Sequence, residues 1–242
     1  MSRSPAARSR GGKPGPRVAL LGKPVAESLS PRMQNAAFAA AGLDWEYVAL
    51  EVSPEELEPT VRRLVEEGWA GANVTIPHKR AAAALSDEAE GEAVNTLVFR
   101  DGRVLGFNTD KEIVAGIEAE RVCLIGAGGA AEALLPGLSG QVRMFSRSGE
   151  WPPDAADADL IVNATPVRDE LLAEPRSGQT VVDLAYRGDG RPTALVAAAR
   201  DAGCVVVDGY EALVRQGAAS FSLWTGRPAP VEAMRSAVGL VP

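Results

Sequence analysis

A glycine-rich run, GAGGAA at residues 126–131, is the part of this 242-residue chain whose spacing points most directly to chemistry. It follows the apolar stretch VCLIG (122–126) and opens a helical stretch, which is the context of a dinucleotide-binding turn. Glycines permit a tight turn and let the backbone approach a pyrophosphate, whose charge then meets N–H groups at the start of a helix. The run therefore predicts a dinucleotide site, and an ordinary turn between a strand and a helix is the alternative.

The end of the following strand distinguishes the two nicotinamide dinucleotides. Enzymes that use NAD place a carboxylate there for the ribose 2′-hydroxyl, whereas enzymes that use NADP place a cation for the 2′-phosphate. Here the strand ends in Ser146, Arg147 and Ser148, with no acidic residue. Arg147 is suited to a bidentate contact with a phosphate, so the segment predicts NADP. A solvated arginine at a strand end is the alternative.

Lysine is rare in this chain, which makes a lysine in a polar motif a candidate for proton transfer. Only four of the 25 basic side chains are lysines, namely Lys13, Lys23, Lys79 and Lys111. An arginine keeps its proton at any accessible pH, but a lysine can release it. The single histidine, His78, would have to serve any Ser-His-Asp hydrolase. Without a Cys or His cluster, no metal site is expected.

The elements that must position these residues predict an α/β fold with two units. In the first unit, strands alternate with helices that begin after Ser30 and at Ser53, the pattern of a parallel α/β layer. Asp101-Gly102 predicts the turn of a hairpin. The predicted strands are 17–22, 45–52, 70–76, 93–100 and 103–108, and the predicted helices are 31–41 and 53–68.

A second series of strands and helices begins at residue 121. A helix over 110–120 is predicted to join the two units, and the cleft that two such units leave between them is a favoured ligand site. Strands are predicted at 122–126, 141–147, 159–164, 180–184 and 204–208, a helix at 192–202, and a helical stretch over 210–238 that is broken at 226–228.

Composition and charge limit the classes of function. No apolar run approaches the roughly 20 residues of a membrane-spanning helix, and no secretory signal is expected. Residues 1–17 carry five basic and no acidic side chains, so the remainder carries 20 basic and 32 acidic ones, a net charge of −12. Such an acidic body does not favour nucleic acid. The segment 1–16 is predicted to be disordered, with a nucleic-acid-binding arm as the alternative.

Nine ordered motifs extend over nearly all of residues 17–238. They are GKPVAESLSPRMQNAAF (22–38), GANVTIPHK (71–79), AVNTL (93–97), GFNTD (106–110), GAGGAA (126–131), SRS (146–148), NATP (163–166), DLAY (183–186) and DGYEALVRQGAASFSLW (208–224). Together they resemble the shikimate dehydrogenase family. The family reduces 3-dehydroshikimate to shikimate with NADPH in aromatic amino-acid biosynthesis, and the resemblance implies that this chain is such an oxidoreductase.

The resemblance implies that Lys79 and Asp110 form the catalytic pair. Reduction of a ketone places negative charge on its oxygen, so some group must donate a proton and stabilise the oxyanion. An ammonium does both, and Asp110 would hold Lys79 and the substrate hydroxyl in register. Taken singly, a solvated Lys79 and a helix-capping Asp110 are the alternatives. His78 matches no catalytic position and is expected to be partly exposed and structural.

The resemblance also assigns the residues that contact substrate and cofactor. Ser28 and Ser30 match the anchor of the substrate carboxylate, with a helix N-cap as the alternative for Ser30. The residues that match other substrate contacts are Thr75, Asn95, Tyr186 and Gln216, for which structural hydrogen bonding is the alternative. The residues that match cofactor contacts are Gly126, Ala127, Gly128, Gly129, Ala130, Ser146, Arg147, Ser148, Asn163, Thr165, Leu184 and Gly209.

The chain departs from the family pattern in four places, one of which is a short stretch between Lys79 and Asn95. Glu27 stands where the family often has His, and NATP is not followed by the usual Gly-Met. Only the eleven residues 148–158 separate Arg147 from Asp159, too few, with two prolines, for a normal crossover helix. We therefore expect about five parallel strands in the second unit, an exposed adenine and weaker NADP binding.

The expected organisation is a trimmed Rossmann-type NADP domain (111–213) and an α/β substrate domain (17–110 with 214–242), to which the C-terminal helices return. A quinate or quinate/shikimate dehydrogenase is the sibling alternative, although Ser30 rather than Thr favours shikimate. A non-catalytic metabolite-binding paralogue is the alternative from another class. Free Cys123 and Cys204 indicate a reducing, cytoplasmic location. The expected partners are a small-molecule substrate and no nucleic acid or membrane, in a monomer or homodimer.

Overall fold

Two β-sheets flanked by helices form residues 15–240, the part of the chain that this computed structural model describes. All but two residues of the tail predicted to be disordered (1–16) lie outside the described residues, and so does its alternative role in nucleic-acid binding. The strands are β1 (Arg17–Gly22), β2 (Glu46–Glu51), β3 (Gly71–Val74), β4 (Glu88–Ala89), β5 (Thr96–Arg100), β6 (Arg103–Phe107), β7 (Arg121–Ile125), β8 (Gln141–Phe145), β9 (Leu160–Asn163), β10 (Thr180–Asp183) and β11 (Val205–Val207).

Within residues 15–240, seven α-helices connect and cover these strands. The first three belong to the first sheet, the next two to the second, and the last two follow the final strand. They are α1 (Ser30–Ala40), α2 (Leu57–Glu66), α3 (Lys79–Leu85), α4 (Gly129–Leu134), α5 (Ala194–Asp201), α6 (Gly209–Thr225) and α7 (Val231–Val238). None of the described helices combines the length and the apolar character needed to cross a membrane.

The first sheet has the order β2-β1-β3-β5-β6-β4. Its β1, β2 and β3 are parallel, as the alternation of strands and helices predicts, and β5 and β6 form the predicted antiparallel hairpin. Asp101 and Gly102 turn that hairpin with positive φ values of 54° and 75°, the pairing that a tight type I′ turn requires. The two-residue β4 was not predicted, because Glu88 and Ala89 give no alternating apolar pattern.

The second sheet consists of five parallel strands in the order β11-β10-β9-β7-β8, which confirms the predicted number. The chain passes from β8 across β7 to β9, so the direction of strand progression reverses at β7. Ligands of parallel sheets bind where this reversal occurs, at the carboxyl ends of the strands. The glycine-rich turn follows β7 at that point.

The connection from β8 to β9 contains no helix, as the shortened segment predicts. On that face of the sheet, Ala155, Leu172 and Ala173 from irregular segments pack with α5 over Phe145 and Ile161. Small loop residues thus replace the helix that usually covers such a sheet.

Two predictions about helices need correction. The helix expected over 110–120 is wrong, since a single 3-10 turn spans Asp110–Ile113 and Gly116, with φ of 76°, prevents its continuation. Ser30 was expected to cap α1, but it is the first helical residue and Leu29 occupies the cap position without a side-chain hydrogen bond. The Ser30 hydroxyl is therefore not used as a cap.

The helix α6 begins on the second unit and ends in the core of the first. Asp208 caps its start by accepting hydrogen bonds from the N–H groups of Tyr210 and Glu211. Towards its other end, Phe221 packs against Phe38 with ring centroids 5.5 Å apart. This course agrees with the expected return of the C-terminal helices to the first sheet, while the domain boundaries themselves stay a prediction.

Candidate active site

A cleft of about 740 Å³ lies between the two sheets and is lined by residues of both. All eight residues predicted to contact or transform the substrate line this cleft, although they come from six separate segments of the chain. They are Ser28, Ser30, Thr75, Lys79, Asn95, Asp110, Tyr186 and Gln216.

Lys79 and Asp110 lie in direct contact in this cleft. Lys79 is the first residue of α3, and Asp110 begins the turn that follows β6. The Nζ of Lys79 donates to Oδ2 of Asp110, and Nδ2 of Asn95 donates to Oδ1 at 2.7 Å. The two charged side chains are only 14% and 13% exposed. The arrangement holds an ammonium beside a carboxylate, facing the cleft.

A buried polar network behind the cleft holds Asn95 in place. Oδ1 of Asn95 accepts from the N–H of Thr109 at 2.8 Å, while Nδ2 of Asn73 donates to the hydroxyls of Thr96 and Ser220, each at 3.0 Å. Tyr47 donates its hydroxyl to Oδ1 of Asn73 at 2.8 Å, and burial raises the pKa of that tyrosine.

Sequence reasoning did not identify the network residues Asn73, Thr109 and Ser220. The available signal was a polar side chain within an apolar run, as Asn73 is within AGANVTI, because a buried polar group must find partners. The network fixes the orientation of Asn95 and, through it, of Asp110.

Ser28, Ser30 and Tyr186 converge on one end of the cleft. The N–H of Ser30 donates to the Ser28 hydroxyl at 3.2 Å, which shapes the loop before α1. Tyr186 approaches from the second sheet. Burial raises the pKa of Tyr186, and the Leu29 backbone, the charge of Arg168 and the Ser28 hydroxyl oppose part of that rise. These three hydroxyls can donate hydrogen bonds to a carboxylate.

His78 is not partly exposed, as was predicted, but buried, with 1% of its surface accessible. Its Nε2 lies 2.7 Å from the carbonyl oxygen of Val52. The ring is enclosed because it ties the start of α3 to the end of β2. Its predicted structural role agrees with this contact.

Two charged residues at the cleft were not among the predicted site residues. Glu27 and Arg168 line it from opposite sheets, beside Ser28 and Tyr186 respectively. Both occur where the sequence departs from the family pattern, and this departure was the signal available. Besides Lys79 and Asp110, the cleft is thus lined by one further acidic side chain and one further basic side chain.

The glycine-rich turn offers an open backbone cradle. Gly126 has φ of 119°, and an added Cβ would lie 3.2 Å from the carbonyl oxygen of Ala164, so the turn needs glycine there. At Gly128 and Gly129 an added Cβ would meet no atom within 4 Å, and Ala127 to Gly129 are exposed. No side chain caps α4. The residues present therefore fit a pyrophosphate.

Arg147 follows β8, at the same edge of the sheet, with Ser146 and Ser148 beside it. Its Nη2 donates to Oε2 of Glu170 at 2.8 Å. No acid was expected here, because residues 146–148 at the end of β8 include none. Glu170 arrives instead from the segment after β9, a position that strand order alone does not reveal.

The remaining predicted cofactor residues divide into a buried and a cleft-lining group. Asn163 is fully buried, and its Oδ1 accepts from the N–H and hydroxyl of Thr165 at 2.9 and 2.6 Å. Its Nδ2 donates to Asp183 at 2.9 Å. Asn163 therefore shapes the loop and does not face the open side. Leu184 and Gly209 line the cleft.

Comparisons with known proteins agree with this geometry. Residues 20–97 match the family described as the shikimate dehydrogenase substrate binding domain, and residues 209–238 match the shikimate 5′-dehydrogenase C-terminal domain. The chain is 41% identical to the shikimate dehydrogenase (NADP(+)) of Rubrobacter xylanophilus, with 91% of this chain and 94% of the relative covered. It is 38% identical to that of Methanopyrus kandleri, with the same coverage of both chains.

Solved structures give the same result for the fold. The crystal structure of shikimate 5-dehydrogenase from Thermus thermophilus in complex with NADP(H) and shikimate superposes with a TM-score of 0.79 at 31% identity, covering 92% of this chain and 98% of that one. A shikimate dehydrogenase in complex with NADP+ gives a TM-score of 0.84 at 29% identity, covering 93% and 94%.

Proposed function

The chain belongs to the shikimate dehydrogenase family, and on that premise we propose that it catalyses the NADP-dependent interconversion of shikimate and 3-dehydroshikimate. The observation that carries the proposal is the contact between Lys79 and Asp110, oriented by Asn95, in the cleft between the two sheets. A protein that only binds a metabolite has no need of a proton donor in this position.

Lys79 moves the proton in this proposal. During reduction of the ketone, Nζ of Lys79 donates a proton to the carbonyl oxygen, and the charge of the ammonium stabilises the oxygen while negative charge develops on it. Asp110 holds Nζ through Oδ2. Its Oδ1 is held by Asn95, so the pair keeps one geometry.

The substrate carboxylate is bound by Ser28 and Ser30, with Tyr186 opposite. Hydroxyl groups donate to a carboxylate without burying a second charge, and a hydrogen bond to a charged group contributes about 1.5–3 kcal/mol. Thr75 and Gln216 border the middle of the cleft, where the ring hydroxyls of the substrate would lie.

The open backbone of residues 126–130 would hold the pyrophosphate, and Arg147 with Ser146 and Ser148 would hold the 2′-phosphate. NADPH supplies a hydride when it is bound. This edge of the second sheet opens onto the cleft at Leu184 and Gly209. The hydride of the cofactor and the proton of Lys79 can therefore reach the same carbonyl group.

The test is a spectrophotometric assay of NADP+ reduction by the purified full-length chain, with shikimate and quinate as substrates and NAD+ alongside. We expect turnover with shikimate and NADP+ to exceed that with quinate. Faster turnover of quinate would indicate the sibling activity. A folded chain that turns over neither substrate would contradict the proposal and favour a non-catalytic binding role.

The further expectations concern location and assembly. Cys123 and Cys204 are both free thiols, which suits the proposed cytoplasmic location. A monomer or homodimer stays a prediction.

A further inference from the structure

An ion pair spans the predicted 2′-phosphate site. Arg147 follows β8, whereas Glu170 follows β9, and the two strands are not neighbours because β7 lies between them. The Nη2 of Arg147 nevertheless lies 2.8 Å from Oε2 of Glu170. The guanidinium also lies over the ring of Trp151, 5.6 Å from its centre.

We propose that Glu170 sets the cofactor preference of this chain by competing with the 2′-phosphate of NADP for Arg147. The inference rests on the proposed function, since it assumes that a nicotinamide dinucleotide binds at this edge. It adds a specificity-determining residue that lies outside both the glycine-rich turn and the strand end.

The energetics favour an exchange of partners on Arg147. The side chains of Arg147 and Glu170 are 67% and 54% exposed, and an exposed ion pair is weak. A phosphate carries more charge than a carboxylate and accepts a bidentate contact from arginine. The 2′-phosphate therefore displaces Glu170, but the freed carboxylate stays nearby and repels it. Both effects reduce the affinity for NADP.

The same carboxylate has the opposite effect on NAD. A ribose with a free 2′-hydroxyl leaves the pair between Arg147 and Glu170 intact, and a carboxylate at this position is the usual acceptor for that hydroxyl. Glu170 thus reduces the preference for NADP over NAD that Arg147 alone would give. Within residues 15–240, Glu170 is the acid paired with Arg147, whereas the neighbouring Arg143 pairs with Glu150 and Asp154.

The test is a binding titration, which needs no turnover. The dissociation constants of NADP+ and NAD+ are measured by calorimetry for the full-length wild type, Glu170→Gln and Glu150→Gln. Glu170→Gln should bind NADP+ about two- to fivefold more tightly and NAD+ no more tightly. Glu150→Gln is the matched control, because it removes the same charge from a neighbouring pair that does not include Arg147, and should change both constants less than about twofold.

The same substitution in an Arg147→Gln variant distinguishes competition for Arg147 from a general effect of removing one negative charge. In Arg147→Gln, the further change Glu170→Gln should lose most of its effect on NADP+, since coupled residues are not additive. Three results would overturn this inference and leave the proposed function standing, provided that the wild type binds NADP+. They are an equal gain in NADP+ affinity in Glu150→Gln, an unchanged gain from Glu170→Gln when Arg147 is absent, and no gain from Glu170→Gln at all. A wild type that binds neither nucleotide overturns the proposed function as well.

Discussion

Lys79 has three N–H donors, and its contact with Asp110 Oδ2 leaves others to face the cleft. If this ammonium relays the proton, Lys79→Ala should lower kcat by roughly 10²–10⁴-fold, the range of general acid–base catalysis. Asp110→Asn should also lower kcat, because the neutral amide holds the ammonium less well. The measurement is steady-state oxidation of shikimate with NADP+.

Lys111 offers the matched control for this substitution. It pairs with Glu90 at the surface and lines no part of the cleft, so Lys111→Ala should leave kcat near that of the wild type. A Lys79→Ala enzyme with near-normal kcat would show that another group donates the proton.

If Ser28 and Ser30 bind the substrate carboxylate as proposed, they act on substrate binding rather than on proton transfer. Ser28→Ala or Ser30→Ala removes a hydrogen bond to a charged group, about 1.5–3 kcal/mol, and should raise the KM for shikimate roughly 10- to 150-fold while sparing that for NADP+. Ser222→Ala is a suitable control, because the Ser222 hydroxyl donates a hydrogen bond to the carbonyl of Ala218 within the same helix. Equal increases in both KM values would indicate that the serines act through folding.

At the scale of elements, the sequence was informative where a local signal decides the structure. The Asp101-Gly102 turn, the five parallel strands and the helix-free connection after β8 were predicted, because turn residues, apolar runs and prolines act on their own neighbours. The prediction of a helix over 110–120 was wrong because Gly116 adopts a positive φ, which a continuing helix does not allow. Glu170 and Asn73 were missed because their partners come from distant segments.

Asp183 joins three elements at the carboxyl edge of the second sheet. It is buried at the end of β10, and it accepts from Asn163 of β9 at 2.9 Å and from the Thr193 hydroxyl before α5 at 2.5 Å. Burial raises the pKa of this carboxyl, although the hydrogen bonds from Thr193, Ala185 and Asn163 oppose the rise. The folded state therefore favours the protonated form relative to the unfolded chain.

The raised pKa fixes the sign of a pH effect on stability. The stabilising contribution of Asp183 is complete below the unfolded carboxyl pKa, about 3.9, and is lost as pH rises through the higher folded value. Asp183→Asn keeps the shape of the side chain and cannot ionise. Its free energy of unfolding should therefore increase relative to that of the wild type as pH rises from about 4 to about 7. Urea unfolding at several pH values measures this difference.

Asp159→Asn is the control of opposite sign. Its carboxylate accepts from the backbone N–H groups of Arg121 and Glu120, which hold its pKa below the ordinary value. That carboxylate stabilises the fold fully above the unfolded pKa and loses this contribution as pH falls through its lower folded value, so Asp159→Asn should lose stability relative to the wild type as pH rises from about 2 to about 4. If the two variants drifted in the same direction, the burial argument for Asp183 would fail.

At the scale of the whole molecule, an acidic protein must bind two anionic ligands. The chain has a formal net charge of −7, so its overall field does not attract shikimate or NADP. Attraction depends instead on cations placed at the cleft and at the sheet edge, chiefly Lys79, Arg168 and Arg147. Salt should therefore weaken ligand binding only through these local charges, since exposed charges further away are screened.

Lys79, Asn95 and Asp110 all belong to the helices and loops that follow strands of the first sheet, while the shortened connection after β8 lies wholly in the second. Inheritance can thus act on the two halves separately. A related chain can lose an edge strand, have a shorter crossover connection or bind a different nucleotide while Lys79, Asn95 and Asp110 stay unchanged. Among the described residues, Arg147 and Glu170 share no hydrogen-bond partner with Lys79 and Asp110, and substitutions at sites without shared partners usually combine additively.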